Sequence, residues 1–313
     1  MSAILVHAPG LFTTVQDLGR EGFGPIGVSA SGAADPISLR IGNRLVGNVE
    51  GAAALEMTLV GGSLTFARHG IIALTGADFG ASLGGVALPM WTSIEVQAGQ
   101  TLALGPSRSG ARAYFCIQGG IAVKPFLGSA STHVLSGLGG FEGRPLRKGD
   151  LLEVGPANSS SQKRSLSPQA LERLQPRKVL RVTAGPQSDW FAPSAWKQFF
   201  ESSFRVTEQS NRMGIRLEGR GIPINPSQEM ITEGVSLGAI QVPPSGQPII
   251  LFVEQQTTGG YPKIANVISA DVHSLGQLRP RDEIRFERVE MSEARSLLIQ
   301  QEALLASKEL ILE

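Results

Sequence analysis

The stretch GGSLTFARHGIIAL, residues 61–74, sets the terms of the fold. It holds two short apolar runs, residues 63–67 and 71–74, which carry the β-branched Thr65, Ile71 and Ile72 and are punctuated by Gly61-Gly62 and Gly70. Brief apolar runs with β-branched content between glycine signals read as strands joined by turns. The same pattern continues outward at residues 4–7, 101–104, 113–117, 151–154, 179–183, 248–253, 264–269 and 283–287, with further breaks at Gly84-Gly85, Gly119-Gly120 and Gly259-Gly260. With 38 Gly and 19 Pro in 313 residues, the pattern predicts a mainly β chain with few, short helices.

Three helices are expected. Residues 36–46 place Ile37, Ile41 and Leu45 on one face behind Asp35 and Pro36, a capping residue followed by a proline whose missing N–H costs nothing there. Residues 194–200 and 292–310 are the others. The polar, Ser- and Pro-rich residues 156–178 read as a linker between domains at 1–155 and 179–313. Fragmentary echoes suggest a duplicated plan: Leu5-Val6-His7-Ala8 against Arg181-Val182-Thr183-Ala184, and residues 99–104 against 246–251, an offset that also aligns Tyr114 with Tyr261.

Composition narrows the function classes. Lys+Arg 28 against Asp+Glu 27 leaves a formal charge of +1, which gives no electrostatic footprint for nucleic acid or anionic membrane. No apolar run approaches the roughly 20 residues of a membrane span, and the N-terminus lacks a signal-peptide pattern. A soluble, cytoplasmic protein is expected. Cys116 is the only cysteine, so an internal disulfide and a multi-thiolate metal site are excluded. The four histidines are scattered, no Gly-x-x-x-x-Gly-Lys or Gly-x-Ser-x-Gly occurs, and no metal site is expected.

What remains is polar side chains in glycine-rich loops. Residues 10–20, GLFTTVQDLGR, have too few apolar residues for a core strand; Asp17 and Arg20 either face a small polar ligand or pair to brace a turn. Residues 27–35, with Ser31 and Asp35, either offer free N–H groups to an anion at a helix start or serve capping alone. Arg212 and Arg216 flank Gly214; an extended segment would put all three on one face, either to hold a carboxylate or as a solvated strand surface. The densest group follows the run at 248–253: Glu254, Gln256, Thr257, Tyr261 and Lys263 around a glycine pair. It is either a structural hairpin or a site in which Glu254 acts as acid or base, Lys263 binds an anion or polarises a carbonyl, and Tyr261 donates a hydrogen bond.

These residues also carry a resemblance. Eight ordered blocks, among them TTVQDLGR (13–20), SGAADPISLRIGNRLVGN (31–48), LEMTLVGGSLTF (55–66), SNRMGIRLEG (210–219) and QTTGGYPKIANVI (256–268), resemble the biotin-dependent carboxyltransferase family, also called allophanate hydrolase subunit 2 or KipA-like. The resemblance covers nearly the whole chain and implies two cyclophilin-like β-barrel domains. For members that stand alone it implies a subunit role in an ATP-dependent 5-oxoprolinase, which opens 5-oxo-L-proline to L-glutamate with PxpA-like and PxpB/KipI-like partners. In fused relatives the same module transfers a carboxyl group from biotin to urea, and a third implied role is a regulator that binds a KipI-like kinase inhibitor. The candidate catalytic residues are Glu254, Lys263 and Arg212, and the candidate substrate-binding residues are Asp17, Arg20, Ser31, Arg216, Gln256, Thr257 and Tyr261. Two positions depart from the family pattern: Glu254 stands where an aspartate is expected, and Ala34 where a methionine is expected. No Ala-Met-Lys-Met segment is present, so biotin, if used, is carried by another chain.

Overall fold

A computed structural model describes residues 2–156, 162–224 and 230–313. The chain divides into two compact units: Met1–Arg20, Ser31–Leu174 and Leu304–Glu313 form the first, Glu21–Ala30 and Gln175–Ala303 the second. Among the described residues no helix is long and apolar enough to cross a membrane.

In the first unit, a seven-stranded and a five-stranded sheet share one core. The opening stretch supplies a strand to each: Ser63–Phe66 pairs with Ser2–Ala8 in the larger sheet, and Gly70–Asp78 pairs with Ser109–Ile117 in the smaller. Leu64 and Phe66 meet Leu55, Met57, Ile72, Leu74 and Phe115 between them. Helix Pro36–Leu45 packs on the other face of the smaller sheet, setting Ile37, Ile41 and Leu45 against Ala73, Tyr114 and Cys116. Its Gly42 is a close-approach position, since a Cβ there would lie 2.6 Å from Cys116 Sγ and 2.9 Å from Thr75 Oγ1.

The second unit holds a closed barrel of seven strands. In order around it run Val179–Ala184, Lys263–Val267, Ala239–Gln241, Ile249–Leu251, Gly214–Glu218, Phe204–Val206 and Glu283–Arg288. The first and last pair in parallel to close it. Ile215, Ile250 and Ile240 stand opposite one another across three strands and are all buried, so this row faces the barrel interior. Helix Pro193–Glu201 covers one side by stacking Phe199 on Phe286 at 4.5 Å.

The mainly β reading with few short helices holds, and the three expected helices form at Pro36–Leu45, Pro193–Glu201 and Met291–Ala306. Three expectations need correction. Residues 10–20 contain a strand, Phe12–Gln16, buried despite its polar composition because Gln16 donates to Thr14 and to the Thr132 carbonyl. Residues 156–178 are not all linker: residues 157–161, including Ser159, Ser160 and Ser161, lie outside the described residues, but Ser165–Leu166 pairs with Ile311–Leu312. Leu166, Ala170, Leu174, Leu305 and Leu310 then join the first unit's core, so the chain's last ten residues belong there rather than to the C-terminal domain. Finally, the alignment of Tyr114 with Tyr261 has no structural counterpart, since Tyr114 is a buried strand residue and Tyr261 is an exposed loop residue.

Candidate functional site

The barrel strand Ile249–Leu251 ends in a segment that pins one acidic and one basic side chain. Phe252 N–H donates to the Met213 carbonyl at 3.0 Å and Glu254 N–H to the Arg212 carbonyl at 2.8 Å, prolonging the pairing of Gly214 with Leu251 beyond the strands. Arg212 and Glu254 are thereby held side by side, 6% and 5% exposed, with Nε donating to Oε1 at 2.5 Å. A charge removed from water this completely persists only with its partner. The strand begins at Gly214, so Arg212 precedes it and is buried while Arg216 is exposed. The two arginines therefore do not form the shared face that an extended segment would give.

Lys263 opens the neighbouring strand, and a register irregularity brings it into place. The ladder pairs Ile240 with Ala265 but Gln241 with Lys263, skipping Ile264; a bulge of this kind re-aims a side chain. Lys263 is 2% exposed and its Nζ meets Glu233 Oε1 at 2.6 Å, while Glu233 is 44% exposed. Gln187 Nε2 donates to the same Glu233 oxygen at 2.9 Å, and Gln187 Oε1 accepts from the Lys263 backbone N–H at 3.1 Å. The hydrogen bonds from Lys263 and then Gln187 hold the Glu233 carboxyl below the usual glutamate range.

Beside these pairs lies a cleft of about 840 Å³. Its lining includes Arg216, Gln256 and Tyr261, together with Gln241 and Ile249, but not Arg212, Glu254, Thr257 or Lys263. Two of its arginines are neutralised, Arg205 by Glu218 at 2.6 Å and Arg281 by Glu208 at 2.7 Å. Arg216 has no ion pair among the described residues. Arg216, Ile249, Gln241 and Lys263 stand in one lateral row across four strands, so the free guanidinium and the buried ammonium mark its two ends. Such a row can hold a small anion or a polar carbonyl compound.

In the first unit, Asp17, Arg20 and Ser31 brace the 129–131 segment. The Asp17 carboxylate accepts from Ser129 Oγ and Ser131 Oγ at 2.6 Å each, from Ala130 N–H at 2.6 Å and from Gly19 N–H at 2.8 Å. Arg20 donates to the Ser131 carbonyl and to Ser31 Oγ and lies over the Phe126 ring. Of the two alternatives read from the sequence, this arrangement favours bracing, with both residues acting on a common segment. At the start of helix Pro36–Leu45, Asp35 accepts from Ser38 N–H and Oγ–H, while Glu56 accepts from Ala34 N–H and Tyr114 O–H. That N-terminus thus carries the chain's own acids. Burial first, then the Glu56 charge, raises the Tyr114 phenol well above its ordinary value.

Glu233, Gln187, Gln241 and Glu56 were not among the residues singled out from sequence. For Glu56 a signal was available, an acid inside the apolar run LEMTL. Glu233 and Gln187 carry no local pattern; only the fold brings them to Lys263.

The family described as carboxyltransferase domain, subdomain A and B, matches residues 26–288. The C subunit of the 5-oxoprolinase of Escherichia coli is 41% identical over 91% of this chain and 91% of its own length, and that of Haemophilus influenzae is 37% identical over 91% and 90%. The crystal structure of Kluyveromyces lactis urea amidolyase superposes with a TM-score of 0.89 at 33% identity, over 99% of this chain but only 21% of that larger one.

Proposed function

Because the chain belongs to the carboxyltransferase-domain family of subdomains A and B, we propose that it serves as the C subunit of an ATP-dependent 5-oxoprolinase, contributing to the opening of 5-oxo-L-proline to L-glutamate. The observation that carries this reading is the match of about nine-tenths of both chains to two 5-oxoprolinase C subunits. In this reading its partners are PxpA-like and PxpB/KipI-like proteins, and the enzyme works in the cytoplasm. The activity belongs to the assembly.

The substrate is a planar lactam bearing a carboxylate, and ring opening develops negative charge on the lactam oxygen. Arg216, with Gln256 and Tyr261 as hydrogen-bonding neighbours in the cleft, and Lys263, at the far end of the same strand row, supply the cations for those anionic groups, and Thr257 follows Gln256 just outside the lining. Glu254 is the base, and its pairing with Arg212 fixes its orientation. Asp17, Arg20 and Ser31 support the first-unit loop.

The cleft does not fit a triphosphate. Its three arginines face two glutamates, which leaves one uncompensated positive charge. ATP chemistry is therefore assigned to the assembled enzyme and no step is routed through this chain.

Carboxyl transfer is the second reading, favoured by the superposition over 99% of this chain on urea amidolyase; there biotin would arrive on another chain. Co-purification separates the two. The proposed function predicts that the tagged chain retains PxpA-like and PxpB-like proteins and no biotinylated protein. Recovery of a biotinylated carrier in place of both would overturn it.

A further inference from the structure

The Lys263 ion pair is asymmetric. The cation is built into the barrel and 2% exposed, whereas the acid is 44% exposed and sits on a two-residue strand, Glu233–Gly234, paired among the described residues only with Thr258–Gly259. Three side-chain donors surround this position. Lys263 Nζ and Gln187 Nε2 both meet Glu233 Oε1. Gln241, directly opposite Lys263 in the ladder and 1% exposed, has a buried Nε2 with no acceptor among the described residues. Gly259 leaves room for that amide, because a Cβ there would lie 2.5 Å from Gln241 Nε2.

A buried N–H without an acceptor costs free energy that folded chains rarely leave uncompensated. Two donors on one carboxylate oxygen, with a third still unsatisfied beside them, form a set suited to a carboxylate better placed than the one now present. Resting on the reading that this protein handles a lactam acid, we propose that Lys263, Gln187 and Gln241 form a carboxylate-binding cage. Glu233 fills it in the free chain, and the carboxylate of a small acid substrate enters by displacing Glu233. The exchange is balanced in charge: one carboxylate leaves for water and another replaces it beside Lys263. A neutral ligand would strand the buried ammonium, so the cage selects anions. The incoming group is the carboxylate of 5-oxo-L-proline or, under the carboxyl-transfer reading, bicarbonate.

The test is calorimetric titration of 5-oxo-L-proline into the full chain, wild type and Glu233→Gln, with sodium bicarbonate and the uncharged lactam 2-pyrrolidone as parallel probes. The variant is expected to bind 5-oxo-L-proline or bicarbonate at least tenfold more tightly than wild type, and whichever anion binds identifies the source. Its melting temperature, lowered by the loss of Lys263's partner, should be restored by that anion and not by 2-pyrrolidone. Gln241→Leu provides a second readout. The amide donates no Nε2 hydrogen bond in the free chain, so this variant should fold as well as wild type yet bind the anion about tenfold more weakly. Equal affinity in wild type and Glu233→Gln, or equal rescue by 2-pyrrolidone, would overturn the cage. Glutamate release by the assembled enzyme, measured alongside, keeps the two claims apart. Release that needs this chain while Glu233→Gln shows no gain in affinity sinks the cage alone, and a working cage in a chain that release does not need sinks only the oxoprolinase assignment.

Discussion

At the scale of single residues, the buried Arg212–Glu254 pair makes the sharpest demand on its neighbours. Truncating either partner removes the ion pair from a charge that is only 5% or 6% exposed, and such losses cost about 3–5 kcal/mol. Arg212→Ala and Glu254→Ala are each expected to lower stability by that order in urea unfolding. The double variant should cost clearly less than the sum of the two, and strict additivity would show that the pair does not act as a unit. Glu254→Gln, which keeps the shape and one acceptor, should retain the fold better while abolishing glutamate release by the assembled enzyme. Full turnover would remove Glu254 from the chemistry. Cys116 gives a simpler check: burial pushes its thiol far up, so alkylation should require unfolding. The residues legible from sequence here were those in dense polar clusters, such as Glu254 and Lys263. Glu233 was not legible, because its importance comes from Lys263, thirty positions on, through a bulge that no local pattern announces.

Among elements, helix Pro36–Leu45 tests how closely helix and sheet approach. An interior glycine replaced by alanine ordinarily gains roughly 0.5–1 kcal/mol of helix stability. Gly42→Ala should instead destabilise, because its Cβ would fall 2.6 Å from Cys116 Sγ on the sheet below. Thermal unfolding measures the sign, and a gain in melting temperature would contradict the packing described. Asp35→Ala removes the cap from the same helix and should cost about 1 kcal/mol or more, since the acid it removes is buried. The sequence announced this helix through its cap, proline and apolar spacing. It did not announce strand Phe12–Gln16, whose polar side chains are buried with hydrogen bonds of their own, Gln16 donating to Thr14 and to the Thr132 carbonyl and Thr13 to the Pro9 carbonyl. Strand patterns report burial of apolar groups, and a strand buried through hydrogen bonds escapes them.

For the molecule as a whole, glycine punctuation made the β character legible, while the division into units was only half visible. The chain changes unit between Leu174 and Gln175, inside the polar residues 156–178, but the return of Leu305 and Leu310 to the first core depends on contacts with residues such as Leu39 and Tyr114, far away in sequence. Acid sensitivity is also global. Arg144 holds Asp150 through two hydrogen bonds, at 2.8 and 2.9 Å, and keeps its carboxyl below the usual aspartate range. Since the folded-state value is lowered, this contribution is present above the unfolded aspartate value near pH ~4 and is lost as pH falls through the lower folded value. Asp150→Asn should therefore be less stable than wild type at neutral pH, with the difference shrinking in denaturant titrations as pH falls below the unfolded aspartate value; a constant difference would contradict this linkage. The measurement that bears most directly on the proposed function is ATP-dependent glutamate release from 5-oxo-L-proline by purified PxpA-like and PxpB-like proteins, with and without this chain. The account predicts release only when the chain is present, and an unchanged rate on its omission would contradict it.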